Sequence, residues 1–304
     1  MIASANLTRR SLRQQAREDI AGYLFLLPWI IGFLVFHAGA IFASFGLSLF
    51  DTDLLSPAKF IGLGNYLEMF FEDPLFWQSL KVSALYTLGS VPLQMLLGLG
   101  LALLLNQRVA GRGFWRTVFY LPSVVSGVAI AMIWSWFYHP DLGLFNNALL
   151  SIGIDGPRWL FSEVWALPSL ILMNVWSVGP VMLIFLAGLQ SIQKEFYEAA
   201  QIDGAGRRQQ FWRITVPILS PQILFNTVLG IIGSFQVFTT AFVMTEGGPN
   251  NATRTLVLHM YSRGFLSARF GYSAALACIL FVLLLVFIVF VLRSSRSAVF
   301  YEAQ

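Results

Sequence analysis

Six apolar runs, at about 22–49, 79–106, 115–138, 164–191, 222–245 and 272–292, dominate the 304-residue chain. Each reaches the length of about 20 residues that a helix needs to cross a bilayer. Charged residues make up 11% of the chain, where a soluble domain carries about 25%. The gaps between runs leave no room for a soluble domain of ordinary size. The expected fold is therefore an all-α integral membrane protein with six transmembrane helices. Pro28, Pro92, Pro122, Pro168 and Pro180 fall inside the runs, and each frees a backbone carbonyl that a neighbour must satisfy. Thr8-Arg9-Arg10-Ser11-Leu12 looks like a twin-arginine export signal. The apolar run that follows is far too long for a cleaved leader, so it reads as an uncleaved first span.

Basic residues orient the spans. With both termini inside, the inner segments hold thirteen of the nineteen Lys and Arg: Arg9, Arg10, Arg13 and Arg17; Arg108, Arg112 and Arg116; Lys194, Arg207, Arg208 and Arg213; Arg293 and Arg296. Lys59, Lys81, Arg158, Arg254, Arg263 and Arg269 fall outside. Positive charge accumulates on the cytoplasmic side of a membrane protein. The expected organisation is a cytoplasmic tail at 1–21, a six-span domain at 22–292 and a cytoplasmic tail at 293–304. Outer loops fall at about 51–78, 139–163 and 246–271.

No Asp, Glu, Lys or Arg occupies the core of any run, which argues against ion-coupled pumping through this chain. No nucleophile elbow, zinc-protease motif or phosphate loop is present. His37, His139 and His259 are too scattered for a metal triad, and each reads as a singly satisfied histidine. Cys278, the one cysteine, lies in an apolar run and reads as packing. The basic residues sit at helix ends rather than on a face interleaved with aromatics, so nucleic acid is not an expected partner.

The polar groups inside the runs are neutral. Asn174, Trp176, Asn226, Phe235, Phe238 and Thr239 combine hydrogen-bonding groups with aromatic faces. A sugar ring, with hydroxyl edges and apolar C–H faces, needs that combination, and these six are the candidate substrate pathway. The same residue types also join helices to one another. Gln94, Ser123, Ser126, Ser135, Ser177, Ser234, Gln236 and Thr240 add to the neutral polar content.

One polar island, 193–221, interrupts the apolar pattern on the cytoplasmic side. A short helix over 194–202 should end where Gly204-Ala205-Gly206 allows positive φ. A second amphipathic run, 207–215, should stop before Val216-Pro217. The island reads Glu198-Ala199-Ala200, three residues, Gly204, nine residues, then Ile214-Thr215-Val216-Pro217. This resembles the EAA loop of ABC importer permeases, with Val216 where the family pattern has Leu.

The likeness extends along the chain. Tyr23-Leu24-Phe25-Leu26-Leu27-Pro28, Gly62-Leu63-Gly64-Asn65-Tyr66, Phe119-Tyr120-Leu121-Pro122 and Thr245-Glu246-Gly247-Gly248-Pro249 resemble the six-span carbohydrate-uptake permeases related to the maltose-transporter membrane subunits. The resemblance implies a type I importer permease fold in the bacterial inner membrane. It implies a second homologous permease, a cytoplasmic ATPase dimer that binds ATP and Mg, and an extracytoplasmic solute-binding protein. This chain itself is then not an enzyme and carries no cofactor. Phe196, Tyr197, Glu198, Ala199, Ala200, Ile202, Asp203 and Gly204 would couple it to the ATPase. Glu246, Gly247, Gly248 and Pro249 would meet the binding protein or gate the pathway. The competing reading is a stand-alone sugar facilitator or secondary carrier; the charge-free spans, the lack of an internal repeat and the docking-type loop weigh against it.

Overall fold

The computed structural model describes residues 12–107 and 109–295. Arg9, Arg10, Arg108 and Arg296, with the tail residues 1–11 and 296–304, lie outside the described residues.

One long helix organises the rest. Helix α1 (Leu12–Phe33) runs through a widened π turn, Leu34–Ala38, into α2 (Gly39–Leu47). None of residues 22–47 is buried. A two-residue hairpin, β1 (Phe50–Asp51) against antiparallel β2 (Lys59–Phe60), and the short helix α3 (Gly64–Phe71) lead to α4 (Pro74–Asn106). The start of α4 is well specified. Asp73 caps it by accepting from the Leu75 N–H at 2.9 Å, and Pro74 takes the first turn, where no N–H is needed. At 33 residues and 1.5 Å per residue, α4 is about 50 Å long. It packs against helices from the third, fourth and fifth apolar runs and shares an apolar cluster with the last.

Among the described residues, three helices are long and apolar enough to cross a membrane unaided: Gly22–Leu47, Pro74–Asn106 and Phe270–Ser295, the last being α16. Three bent pairs raise the number to as many as six. The expected span at 115–138 is broken into α5 (Arg112–Tyr120) with a 3₁₀ turn, Leu121–Val124, followed by α6 (Gly127–Phe137) at 98°. Pro122 has no N–H to return to the Val118 carbonyl, and Val125 and Ser126 are extended. Beyond α7 (Leu144–Ser151) and a 3₁₀ turn at Trp159–Phe161, the expected span at 164–191 divides into α8 (Ala166–Trp176) and α9 (Gly179–Ser191), bent by 46°. Here Pro180 removes the bond to the Trp176 carbonyl.

The polar island contains α10 (Lys194–Ile202), the bounds expected from sequence. The following run departs from expectation. Helix α11 (Arg207–Gln210), a π turn at Phe211–Thr215 and α12 (Val216–Ile218) continue through Val216-Pro217 rather than stopping before it. The widened turn explains this: the Val216 N–H reaches the Phe211 carbonyl, which makes room for the Pro217 ring. A 63° bend then leads into α13 (Ser220–Phe235). The fifth run also breaks, because α13 ends at Phe235 and α14 (Thr239–Thr245) begins after three intervening residues. Helix α15 (Leu256–Tyr261), a π turn at Ser262–Leu266, and α16 (Phe270–Ser295) complete the described chain.

Three apolar clusters lie along α4. Met69, Phe76, Phe235, Leu256 and Tyr272 gather near its start, and Tyr86, Ile130, Trp134, Tyr138 and Leu170 near its middle. Ala102, Leu105, Phe185, Leu189 and Leu219 gather near its end. Small residues let the axis approach its neighbours, as is usual between membrane helices. A Cβ on Gly98 would lie 2.7 Å from Val181 Cγ1 of α9.

Candidate functional site: a neutral cavity between two built ends

A cavity of about 310 Å³ opens between α4, the α8–α9 bend and α13. Its polar lining is Tyr86, Gln94, Asn174, Ser177, Asn226 and Ser234, and no charged side chain contributes. The α8–α9 bend creates part of this lining. Gln94 Nε2 donates to the Asn174 carbonyl at 2.9 Å and so ties α4 to the bend. Ser234 Oγ donates to Thr87 Oγ1 at 2.9 Å and ties α13 to α4. Asn226 is different: the residue is 3% exposed and its Nδ2 has no protein partner. A buried amide left unpaired costs free energy that a ligand can return.

Of the six pathway candidates, Asn174 and Asn226 line this cavity. Trp176 lies beyond the lining, partly exposed, with its ring 5.8 Å from that of Trp134. Phe235 points the other way, into the cluster with Met69 and Tyr272. Phe238 stacks on Phe242 at 5.2 Å and meets Tyr261 at 5.0 Å. Thr239 opens α14, which packs on α6. Tyr86, Gly230 and Gly233 also line the cavity and lacked a sequence signal, since tyrosine and glycine are ordinary helix-packing residues.

At the end of α4 marked by Leu105, α10 presents one face outward. Phe196 is 42% exposed and Ile202 87%, with Glu198, Ala199, Asp203 and Gly204 exposed as well. Tyr197 faces inward instead. Its hydroxyl hydrogen-bonds Thr215 Oγ1 at 2.9 Å, and its ring packs on the cluster that contains Leu189 and Leu219. Ala200 is half-buried on the same side. The helix closes in a Schellman motif: the Ala205 N–H donates to the Ala200 carbonyl at 2.8 Å and the Gly204 N–H to Gln201 at 3.0 Å. Gly204 sits at φ +77°, a conformation that glycine adopts without strain.

At the opposite end, the 246–249 segment forms a tight, braced loop. Glu246 is exposed and left-handed at φ +50°, whereas Gly247 is buried. The Gly248 N–H donates to the Thr245 carbonyl at 2.8 Å, and Thr253 Oγ1 donates to the Gly248 carbonyl at 2.8 Å. Pro249 follows on a cis bond.

A polar hub that sequence reasoning missed lies beneath this end. Asp73 Oδ2 accepts from Tyr272 Oη at 2.7 Å, from His259 Nε2 at 3.0 Å and from Arg263 Nη2 at 3.0 Å. Burial alone would raise the Asp73 carboxyl. The Tyr272 hydroxyl and the His259 and Arg263 charges outweigh it and hold Asp73 below its ordinary value. Burial pushes His259 down despite the carboxylate beside it. Nearby, Arg269 grips Glu68 with both guanidinium arms, at 2.5 and 2.6 Å, and these bonds hold Glu68 low. His259 was expected to be a satisfied histidine rather than a metal ligand, and the partner that satisfies it lies 186 positions away.

Comparison with known proteins accords with this arrangement. The family described as binding-protein-dependent transport system inner membrane component matches residues 94–297. The chain is 41% identical over 306 residues to the probable ABC transporter permease protein YesP of Bacillus subtilis, covering 99% of this chain and 98% of the relative. It is 36% identical over 282 residues to the trehalose/maltose transport system permease protein MalF of Thermococcus litoralis, covering 92% and 95%. A chain in the crystal structure of a bacterial alginate ABC transporter, in complex with alginate pentasaccharide-bound periplasmic protein, superposes with a TM-score of 0.81 at 27% identity, covering 95% of this chain and 98% of that one. The chain belongs to the inner-membrane components of binding-protein-dependent transport systems and is an ABC importer permease.

Proposed function

We propose that this permease forms, with a second homologous permease, the pathway for an uncharged sugar or polyol handed over by an extracytoplasmic binding protein. The observation that carries the reading is the cavity beside α4: about 310 Å³, lined by neutral hydrogen-bonding groups, with the Asn226 amide unpaired. Relatives named for trehalose/maltose and alginate transport support the carbohydrate class. The charge-free lining favours an uncharged member of that class, because a carboxylate brought into such a site would lose hydration without gaining a cation.

Six spans follow if α5–α6, α8–α9 and α13–α14 each cross once beside the three long helices, within a domain at 22–292 flanked by cytoplasmic tails at 1–21 and 293–304. The basic residues of the polar island then place α10 in the cytoplasm and the 246–249 loop outside. The exposed face of α10 (Phe196, Glu198, Ala199, Ile202 and Asp203) is the surface for an ATPase subunit, which binds ATP and Mg. Tyr197 and Ala200 hold the helix to its own chain, and Gly204 sets the sharp exit. Aromatic anchors such as Phe196 are common centres of binding energy. The bare flank of α1–α2, with none of residues 22–47 buried, leaves a long apolar surface for the second permease and lipid.

The first test is co-purification. Tagged protein extracted from its native membrane in mild detergent should bring an ATPase and a second permease, identified by mass. A lone chain that still transports in liposomes would favour the facilitator reading. The double variant Glu198→Lys, Gly204→Asp should express normally yet lose the ATPase, and uptake with it; retained ATPase and uptake would remove α10 from the coupling role.

A further inference from the structure

The break between α13 and α14 lies against the cavity, and Val237, in the middle of the break, lines it. A break at membrane depth frees carbonyls that lipid cannot satisfy. The Val237 carbonyl finds its partner in another element, accepting from Thr255 Oγ1 at 2.9 Å. Thr255 is fully buried and caps α15, where the same oxygen accepts from the Leu258 N–H at 3.3 Å. One hydroxyl therefore joins the broken span to the outer helix.

Both sides of Thr255 are braced. In the loop before it, Thr253 Oγ1 binds the Gly248 carbonyl and lies 2.7 Å from Thr245 Oγ1. Arg254 Nε donates to Asn251 Oδ1 at 2.6 Å. After it, the Leu256 N–H donates to Ser83 Oγ of α4 at 2.8 Å, and His259 holds Asp73 at the start of α4. The loop, α15 and the outer part of α4 thus share buried bonds. A displacement of the loop has a short, hydrogen-bonded route to Val237.

We propose that Thr255 is a positioning residue that fixes the outer wall of the cavity, at Val237, to the position of the 246–254 loop. A protein docked on that loop would then be felt in the cavity without touching it. The inference rests on reading the cavity as the pathway and the loop as the docking surface.

The test is cysteine accessibility in a Cys278→Ser background, on the detergent-solubilised assembly purified with its native partners. The probe is a charged, water-soluble maleimide. Val237→Cys reports the break, and Ile184→Cys, which lines the same cavity from α9, is the control. Adding Thr255→Val should raise the labelling rate at 237 about tenfold, equivalent to about 1.4 kcal/mol, and leave 184 unchanged. Thr255→Ser should restore the original rate. Thr253→Val, which loosens the loop without touching Val237, should raise labelling at 237 about threefold. An unchanged rate at 237 in Thr255→Val would reduce the hydroxyl to a cap of α15. An equal rise at 237 and 184 would mean general loosening, and either result overturns the proposal. Labelling reads neither uptake nor ATP hydrolysis, so failure here is distinct from failure of the importer reading.

Discussion

Replacing Asp73 with asparagine should cost the protein about 3–5 kcal/mol, the penalty for breaking a buried charged network by removing one partner. The carboxylate receives four donors: the Leu75 N–H, Tyr272 Oη, His259 Nε2 and Arg263 Nη2. An amide offers one acceptor oxygen and turns two N–H groups toward donors. The loss should appear as a lower thermal midpoint of the detergent-solubilised protein, while Glu68→Gln, at a partly exposed pair, should change it little. Acid resolves the mechanism further. His259 is depressed below its ordinary 6.5, so as pH falls through that value the unfolded chain takes up a proton the folded one refuses, and stability begins to fall. Asp73 is depressed below 3.8, so its contribution is full above that value and is lost only as pH falls further. Wild-type protein should therefore lose stability in two stages. Asp73→Asn should keep the first and show a smaller second, because Glu68 is also held low, and a second stage of full size in the variant would dismiss the hub.

How much of this was legible in the sequence depends on the range of the interaction. The α10 helix and its Gly204 exit are set by neighbours within one turn, and the expected bounds hold. The long spans α4 and α16 are set by hydropathy alone; only their ends shifted, since Asp73 and Pro74 start α4 before the apolar run does. The breaks were harder. Pro122 and Pro180 announce that a bond is missing, but the 98° and 46° bends depend on what packs there. At Gly179, a Cβ would stand 2.6 Å from the Phe119 carbonyl oxygen, a contact between runs that no local pattern records. The site divides along the same line. A neutral amide within an apolar run needs a reason, and Asn174 and Asn226 had one in the cavity. Phe235 and Phe238 needed none, because aromatic rings fill cores as readily as they line sugar sites. The Asp73–His259 pair lay beyond any windowed reading.

Asn226→Ala and Phe238→Ala should fail in opposite ways, and the contrast tests the cavity as the route. The Asn226 amide spends no hydrogen bond on the protein through Nδ2, so its removal deletes an unsatisfied buried donor and should leave the thermal midpoint level or slightly raised. Uptake should nevertheless fall about tenfold or more, since a sugar hydroxyl in transit loses a partner worth about 1–3 kcal/mol in a buried site. Phe238 is committed to Phe242 and Tyr261 and does not line the cavity. Truncating it should lower the midpoint through lost packing, while the protein that survives transports normally. The measurement is uptake, into proteoliposomes holding the complete importer, of the labelled sugar that its co-purified binding protein recognises, beside a melting curve for each variant. Unchanged uptake in Asn226→Ala would move the route elsewhere, most simply into the second permease. Reduced uptake per folded molecule in Phe238→Ala would mean that the α14–α15 aromatic stack joins the pathway in another state of the transport cycle. The amide and the ring lie twelve residues apart on one apolar run. The break at 236–238 sends one toward the cavity and the other toward the loop-bearing end, and that separation is what the two variants measure.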